Sequence, residues 1–356
     1  MLILKAYKFR IYPNRYQQEL IAKTMGCSRF VFNHFLNAWN DAYKHSGKGL
    51  SYNACSAQLT QLKKELTWLR EVDSVALQSS LKNLDDSFKR FFKKQNDVPR
   101  FKSKRNKEQS YTTKKTKGNI AIIDSKIKLP KLGLVKFAKS READGRIISA
   151  TVRRNPSGKY FVSLLVETDV KELPKTSSSC GMDVTREDFA MLFDGSARWN
   201  SKLFSTLEDR LAKEQRVLSR RKEQALKKNK LMCEAKNYQK QIIKVARISE
   251  RIANIRADYL HKISTEIVKN HEIIGIENLQ ANNMIKNGSR AKSVYDASWR
   301  QFKSMLEYKA KWYGRKVATA AIDFDSSPTG SNCSCKYNEF IINLLGVAVQ
   351  RVKSSQ

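Results

Sequence analysis

No apolar run in this chain approaches the roughly 20 residues that a bilayer-spanning helix needs. The opening Met1–Arg10 alternates like a strand and lacks a signal-peptide core with a cleavage site. Membrane insertion is therefore not expected. Histidine is scarce: His34, His45, His261 and His271 stand at no ligand-like spacing, which argues against histidine-based metal or acid–base chemistry. Cysteine is sparse and scattered, at 27, 55, 180, 233, 333 and 335. Only Cys333 and Cys335 are close, and C-x-C is neither a redox CxxC pair nor half of an ordinary zinc ribbon, so free cytosolic thiols are the reading. Acid is the most telling shortage. Against 68 Lys and Arg stand 34 Asp and Glu, a formal charge of +34. Such an excess raises self-repulsion on folding and makes most sense with a polyanion partner, an extended phosphate backbone above all. A basic ribosomal-type or membrane-surface protein is the alternative that composition leaves open.

What is present suffices for two or three cored domains, with 356 residues and 41% apolar content. Residues 2–12 read as a strand with Ile3, Lys5, Tyr7, Phe9 and Ile11 on one face, ended by Pro13. From Gln17 to about Lys94 the spacing turns helical. Phe30, Val31, Phe35, Leu36 and Trp39 make one stripe, and Leu59, Leu62, Leu66 and Leu69 a second. Leu77, Leu81, Leu84, Phe88, Phe91 and Phe92 make a third. Three or four bundled helices are predicted, with Arg29, Asn33, Gln78 and Lys82 on or beside their polar faces. A basic loop, Pro99 to Arg105, precedes short strand-like runs at 120–123, 127–129, 134–137, 147–152 and 160–166. Asn155-Pro156-Ser157-Gly158 joins the last two as a hairpin. If the opening strand pairs into this β-region, the helical segment is an insertion. Lys171 to Ser179 is a polar linker.

Beyond Cys180, residues 181–184 and 189–193 suggest strand–turn–strand. The span from Phe204 to Asn270 contains no Pro or Gly, and its second half carries a stripe of Ile248, Ile252, Ile255, Leu260, Ile263 and Ile267. A paired-helix arm is predicted; a coiled-coil dimer is the alternative, although the heptad is not sustained. Glu272–Glu277 reads as a buried strand, Trp299–Tyr313 as an amphipathic helix and Val317–Ile322 as another strand, an α/β pattern. Asp183 and Glu277 would then end neighbouring strands. Paired carboxylates at such a place suit Mg²⁺ and two-metal phosphodiester chemistry, or serve as local turn caps.

These strings resemble the TnpB family, the RNA-guided nucleases of bacterial insertion sequences that are related to type V CRISPR effectors. The likeness runs through Lys5-Ala6-Tyr7-Lys8-Phe9-Arg10-Ile11-Tyr12-Pro13, Arg29 with Asn33, Leu77-Gln78, Asn83-Leu84 and Phe91-Phe92. It continues in Pro99-Arg100-Phe101-Lys102-Ser103-Lys104, Gly181-Met182-Asp183 and Gly275-Ile276-Glu277-Asn278-Leu279. Asp296-Ala297-Ser298-Trp299, Tyr308-Lys309-Ala310 and Trp312-Tyr313-Gly314 are its most distinctive strings.

The resemblance implies an α/β multidomain protein with an RNase H-like RuvC core and a β-barrel wedge domain carrying an inserted helical recognition bundle. The expected divisions are wedge at 1–13 and 96–172, recognition bundle at 14–95, RuvC-like domain with its helical arm at 178–325, and a shortened zinc-ribbon remnant at 326–356. It further implies a structured guide RNA as cofactor and double-stranded target DNA with a short flanking motif as partner, in a monomer of the cytoplasm and nucleoid. Gln78 and Lys82 are the candidates for contact with the flanking duplex. Arg100, Lys102, Lys104 and Arg105 are candidates for backbone contacts, which position without specifying.

The chain departs from the family where metal chemistry is concerned. The family follows its last core strand with the first cysteine pair of a zinc ribbon, but here the first ligand's place holds Gly330, Cys333 keeps its position and Cys335 is out of register. The segment carrying the third acid is missing. Its place falls near Tyr337, the nearest carboxylate being Glu339, and Lys336–Glu339 runs directly into Phe340–Leu345. Thr185 replaces the usual Gly beyond the first acid. The expectation is a vestigial pair, Asp183 and Glu277, with Mg²⁺ weakly bound or absent, zinc absent, and a nuclease-inactive repressor that occupies DNA. Three rivals stand beside it: an active nuclease using Glu339 or Asp325 as substitute acid, a decayed transposon protein without a guide, and a plain basic nucleic-acid-binding protein.

Overall fold

A computed structural model describes residues 1–106, 108–183, 191–192, 201–276 and 290–319. The chain divides into two compact units, Leu2–Asp169 and Val170 onward together with Met1.

In the first unit, β1 (Leu2–Tyr12) buries Ile3, Phe9 and Ile11 on one face, as its alternation predicts, and half-buries Lys5 and Tyr7 between them. Pro13 stops the strand, and α1 (Arg15–Ser46) starts at once through a reciprocal cap. Asn14 Oδ1 accepts from Gln17 N at 2.8 Å, and Gln17 Oε1 accepts from Asn14 N at 3.0 Å. The helix buries Leu20, Ile21, Met25, Val31, Phe32, Phe35 and Leu36, and ends on Gly47 in the left-handed region. Next come α2 (Tyr52–Glu65), a 3₁₀ turn (Thr67–Arg70) and α3 (Ser74–Phe92), the last capped by Asp73. The predicted leucine stripe 59–69 is thus split between a helix and a turn, with Leu66 outside both. The third stripe is fully buried only as far as Phe88; Phe91 is half-buried, and Phe92, the last residue of α3, is 62% exposed.

Strands β2 (Gln109–Lys114), β3 (Ala121–Ile123), β4 (Lys126–Leu129), β5 (Gly133–Phe137), β6 (Arg146–Arg154) and β7 (Tyr160–Asp169) join β1 in an antiparallel seven-stranded sheet of order β2-β6-β7-β1-β5-β4-β3. The ladder with β7 runs from Leu2 to Ile11, whereas only Ile11 and Tyr12 pair with β5. β1 is therefore the hinge line between two sheet halves. The β6–β7 turn closes as predicted, Asn155 N donating to Lys159 O at 2.9 Å, with Gly158 supplying a φ of 82°. Helices and sheet share one contiguous core, in which Phe9, Ile11, Val152 and Leu164 belong to the same cluster as Ile21, Phe35, Leu77 and Leu84. Gln17 links the layers. Besides capping α1, its amide donates to Leu132 O at 3.1 Å and Leu134 O at 2.9 Å.

In the second unit, β8 (Ser179–Asp183), β9 (Met191–Leu192), β10 (Ile273–Ile276) and β11 (Lys316–Thr319) form a sheet of order β11-β10-β8-β9. β8 and β9 are antiparallel, and β10 is parallel to both β8 and β11. The Pro- and Gly-free span forms two helices, α4 (Ser201–Lys227) and α5 (Lys236–Asn270), which pack through Leu207, Leu211, Ile248, Ile252 and Ile255. Glu214 on α4 accepts from Gln241 at 2.7 Å and pairs with Lys244 at 2.7 Å on α5. A further helix, α6 (Arg290–Tyr313), begins earlier than its apolar stripe implies and buries Trp299, Phe302, Met305 and Leu306 against α5 and the sheet. It ends in a Schellman turn: Gly314 takes a φ of 70° and Arg315 N donates to Ala310 O at 2.8 Å.

Candidate nucleic-acid interface and acidic site

The basic loop after α3 is not a loose tail. Asn33 on α1 clamps Lys102 from both sides, Nδ2 donating to Lys102 O at 2.9 Å and Oδ1 accepting from Lys102 N at 2.8 Å. The Lys102 ammonium lies 3.9 Å from the centroid of the Phe32 ring, a cation–π contact, and crowding by protein lowers its pKa even though the residue is exposed along much of its length. Gln109 holds the other end. Its amide donates to Asn106 O at 2.7 Å, and its Oε1 accepts from Arg29 at 2.9 Å. Arg29 and Asn33, placed on polar helix faces by their spacing, thus act as scaffold for the loop. Arg100, Lys104 and Arg105 remain exposed. The 3.6 Å pair of Arg100 with Asp97 is fully in solvent, worth little, and easily exchanged for a phosphate.

Gln78 and Lys82 lie one turn apart on α3. Gln78 is exposed, but Lys82 is engaged by Asp85 at 2.9 Å and Asp86 at 3.0 Å, with its ammonium 5.7 Å from the Tyr52 ring centroid. Hydrogen bonds to Asp85 and then Asp86 raise the lysine's pKa. Burial works to raise Asp85, but hydrogen bonds from Lys89 and Lys82 outweigh it and hold the carboxyl below its usual range. To reach a duplex, Lys82 must exchange these carboxylates for phosphate or base. The α4–α5 hairpin adds an exposed cationic rail, including Lys213, Arg216, Arg220, Lys222, Arg247 and Arg251.

In the second unit, Asp183 is the last residue of β8, its backbone paired with Met191. On the other side of β8, Ile276 at the end of β10 is opposite Met182. Two parallel strands therefore end together at the edge where α/β sheets place ligand-binding residues. Buried Cys180, Met182, Ile274 and Ile276 fix that edge from below. Glu277, Thr185, Asp325, Gly330, Cys333, Cys335, Tyr337 and Glu339 lie outside the described residues. Among the described residues, no group of three or more His, Cys, Asp or Glu is arranged to hold a metal ion. Nor, among the described residues, is any helix long and apolar enough to cross a membrane.

Sequence reasoning named Lys309 only within a family string and gave it no role of its own. This α6 residue is 5% exposed, and its ammonium donates to His261 O (2.7 Å), Ser264 Oγ (2.7 Å) and Thr265 Oγ1 (2.8 Å) on α5. Burial pushes its pKa down to about 8. A signal was available, because residue 309 follows Phe302 by seven positions and so falls on the buried stripe. The strings 308–310 and 312–314 hence include a buried staple and the positive-φ glycine that ends the helix.

Three family models match the chain: a helix-turn-helix domain at 1–48, a probable transposase at 162–288 and a Cas12f1-like TNB domain at 299–352. Residues 1–48 in fact form a strand and one continuous helix. The chain is 33% identical over 347 residues to a putative RNA-guided DNA endonuclease of Streptomyces pristinaespiralis, covering 96% of this chain and 83% of the relative. It is 32% identical over 332 residues to the putative RNA-guided DNA endonuclease InsQ of Escherichia coli (strain K12), covering 88% and 79%. Among solved structures, a cryo-EM structure of a Cas12f1–sgRNA–target DNA complex matches with a TM-score of 0.53 at 14% identity, over 95% of this chain and 94% of that one. At that identity the likeness speaks for the fold, an α/β multidomain arrangement of the Cas12 kind.

Proposed function

The chain belongs to the TnpB family, and from that premise we propose that it binds a structured guide RNA and, through it, double-stranded target DNA beside a short flanking motif, holding the target without cutting it. Such a protein represses transcription by obstructing polymerase at the nucleoid. Support for guide-directed binding comes from the relatives' names, the Cas12f1-like fold and the clamped basic loop 100–105. The observation that carries inactivity is the altered string from Gly330, where the first cysteine of the family's zinc ribbon and the segment with its third acid are replaced. The order β11-β10-β8-β9 suits an RNase H-like RuvC core, and the sheet hinged on β1 suits the wedge domain with its inserted helices.

Mg²⁺ held in such a site would supply activation of water and stabilisation of the leaving oxygen. The end of β8 fits a first carboxylate, and Asp183 with Glu277 supplies two acids for an ion that needs more. Loss of one comparable electrostatic group costs about 2.7–4 kcal/mol, roughly 100- to 1000-fold in rate. The rival is an active endonuclease that recruits Asp325 or Glu339. It is favoured by the TNB match across 299–352 and by the endonuclease names of the relatives. The test is to purify the full chain with its RNA, sequence that RNA, and supply DNA matched to its variable end together with Mg²⁺. Occupancy without strand breaks is the expected result. Efficient cleavage abolished by Asp183→Ala would overturn inactivity, and the absence of a discrete RNA would overturn guidance.

A further inference from the structure

Between α1 and the β6–β7 end of the sheet lies a cavity of about 190 Å³, lined by Ile21, Ala22, Met25 and Arg29 of α1 and by Lys104, Gln109, Arg154 and Tyr160. Its chemistry is divided. One turn of α1 supplies an apolar wall, Arg29 follows it on the same helix, and Lys104 and Arg154 come from other elements, with no carboxylate among the lining residues. Each cation is positioned by structure already described. Gln109 fixes Arg29 and the turn that carries Lys104, and Arg154 ends β6 at the Asn155–Gly158 turn. The Arg154 guanidinium stands 5.8 Å from the Tyr160 ring centroid. Among the described residues no ion pair engages Arg29, Lys104 or Arg154, in contrast with Lys82.

An apolar slot beside unpaired cations matches a nucleotide, whose base has two apolar faces and whose phosphate is an anion. The volume falls below the roughly 300–1,000 Å³ of pockets that hold whole small molecules. A duplex keeps its bases stacked and could present only backbone to the rim. Single strands splay bases out onto aromatic rings and Arg guanidinium planes. We propose that this cavity holds one unstacked nucleotide of a single strand, its base between the α1 wall and Arg154 and its phosphate on Lys104, Arg154 and Arg29. The inference rests on the nucleic-acid reading above and is independent of whether the protein cuts.

The probes are a short single-stranded oligouridylate carrying 4-thiouridine, its deoxy counterpart with thiothymidine, and a duplex of the same length, each bound to the full chain after removal of co-purified RNA. Crosslinks are expected within Ile21–Arg29 or at Tyr160. Lys104→Gln with Arg154→Gln should weaken single-strand binding at least about tenfold, the size expected for lost charge-assisted bonds. Lys126→Gln with Lys128→Gln removes equal charge from exposed sites on β4 and should change it less than about twofold. Ala22→Leu fills the slot without changing charge and should also weaken binding. Equal losses from the Lys104/Arg154 pair and the Lys126/Lys128 pair, crosslinks confined elsewhere, or unchanged binding by Ala22→Leu would overturn the proposal. Preference for RNA assigns the nucleotide to the guide; equal or tighter binding of the deoxy strand assigns it to opened target. Wild-type target occupancy is scored separately, so loss of the cavity effect alone refutes this inference and leaves guided binding standing.

Discussion

Replacing Lys309 with Met should cost little at neutral pH and remove a pH dependence that the wild type displays. Burial lowers the Lys309 ammonium from its ordinary 10.5 to about 8. In the unfolded chain the side chain titrates near the ordinary value. Below about pH 8 both states are protonated, and the burial penalty is fully present. Between about pH 8 and 10.5 the unfolded chain holds the proton more tightly, so stability rises with pH across that window. The drop corresponds to about 3 kcal/mol. This is an upper bound, because three neutral acceptors within 2.8 Å favour the charged form. Those acceptors keep partners when Lys309 is gone, Ser264 Oγ donating to Leu260 O at 2.5 Å and Thr265 Oγ1 to His261 O at 2.7 Å. With no orphaned group and the stem volume kept by Met, Lys309→Met should lie within about 1 kcal/mol of wild type at pH 7. Urea melts followed by tryptophan fluorescence, with Trp299 buried beside Phe302 in this core, give both stabilities at neutral and alkaline pH. The wild-type advantage should grow by about 1–3 kcal/mol on going alkaline. A variant that loses 3 kcal/mol or more at pH 7, or a difference that stays flat with pH, would refute this account.

Two further substitutions test the frame. Gln17→Ala removes one half of the α1 cap and leaves the carbonyls of Leu132 and Leu134 without that donor; a loss of about 2–3 kcal/mol in a thermal or urea melt is expected. Gly314→Ala places a Cβ in a left-handed turn, 3.0 Å from the Glu172 carboxylate. That side-chain end can move, so the backbone conformation dominates and a cost of about 1–2 kcal/mol is expected by the same melts.

Strongly periodic segments were legible in the sequence. The face of β1 that reads Ile3, Phe9 and Ile11 is the buried face, and the α5 stripe from Ile248 to Ile267 is the packed one, with Ile255 only partly covered. β2 was missed because only Tyr111 and Thr113 point inward along it, a period-2 signal carried by one aromatic and one hydroxyl among polar neighbours. The single core shared by helices and sheet could not be read from stripes, which say that a face is buried and not against what. Within the candidate site, the strand carrying Asp183 was legible. The clamp of Asn33 on Lys102 was not, since it joins residues 69 apart. Asp85 and Asp86 follow Lys82 by three and four residues on a helix, so their pairing with it was within reach of the sequence and was missed.

The place of β1 in its sheet also bears on how the protein is made. The strand's main partner is β7, with Leu2 opposite Asp169, and its other neighbour is β5. Within this unit β1 is synthesised before the whole helical segment and both of its partner strands after it, β7 last of all. α1 to α3 can gain local structure early, but the core they share with the sheet cannot close until residue 169 is available. A ladder of such long sequence separation is the kind that slows folding and leaves a strand edge open meanwhile. Within this unit β1 waits longest for its neighbours, so folding of the unit is gated by its second half.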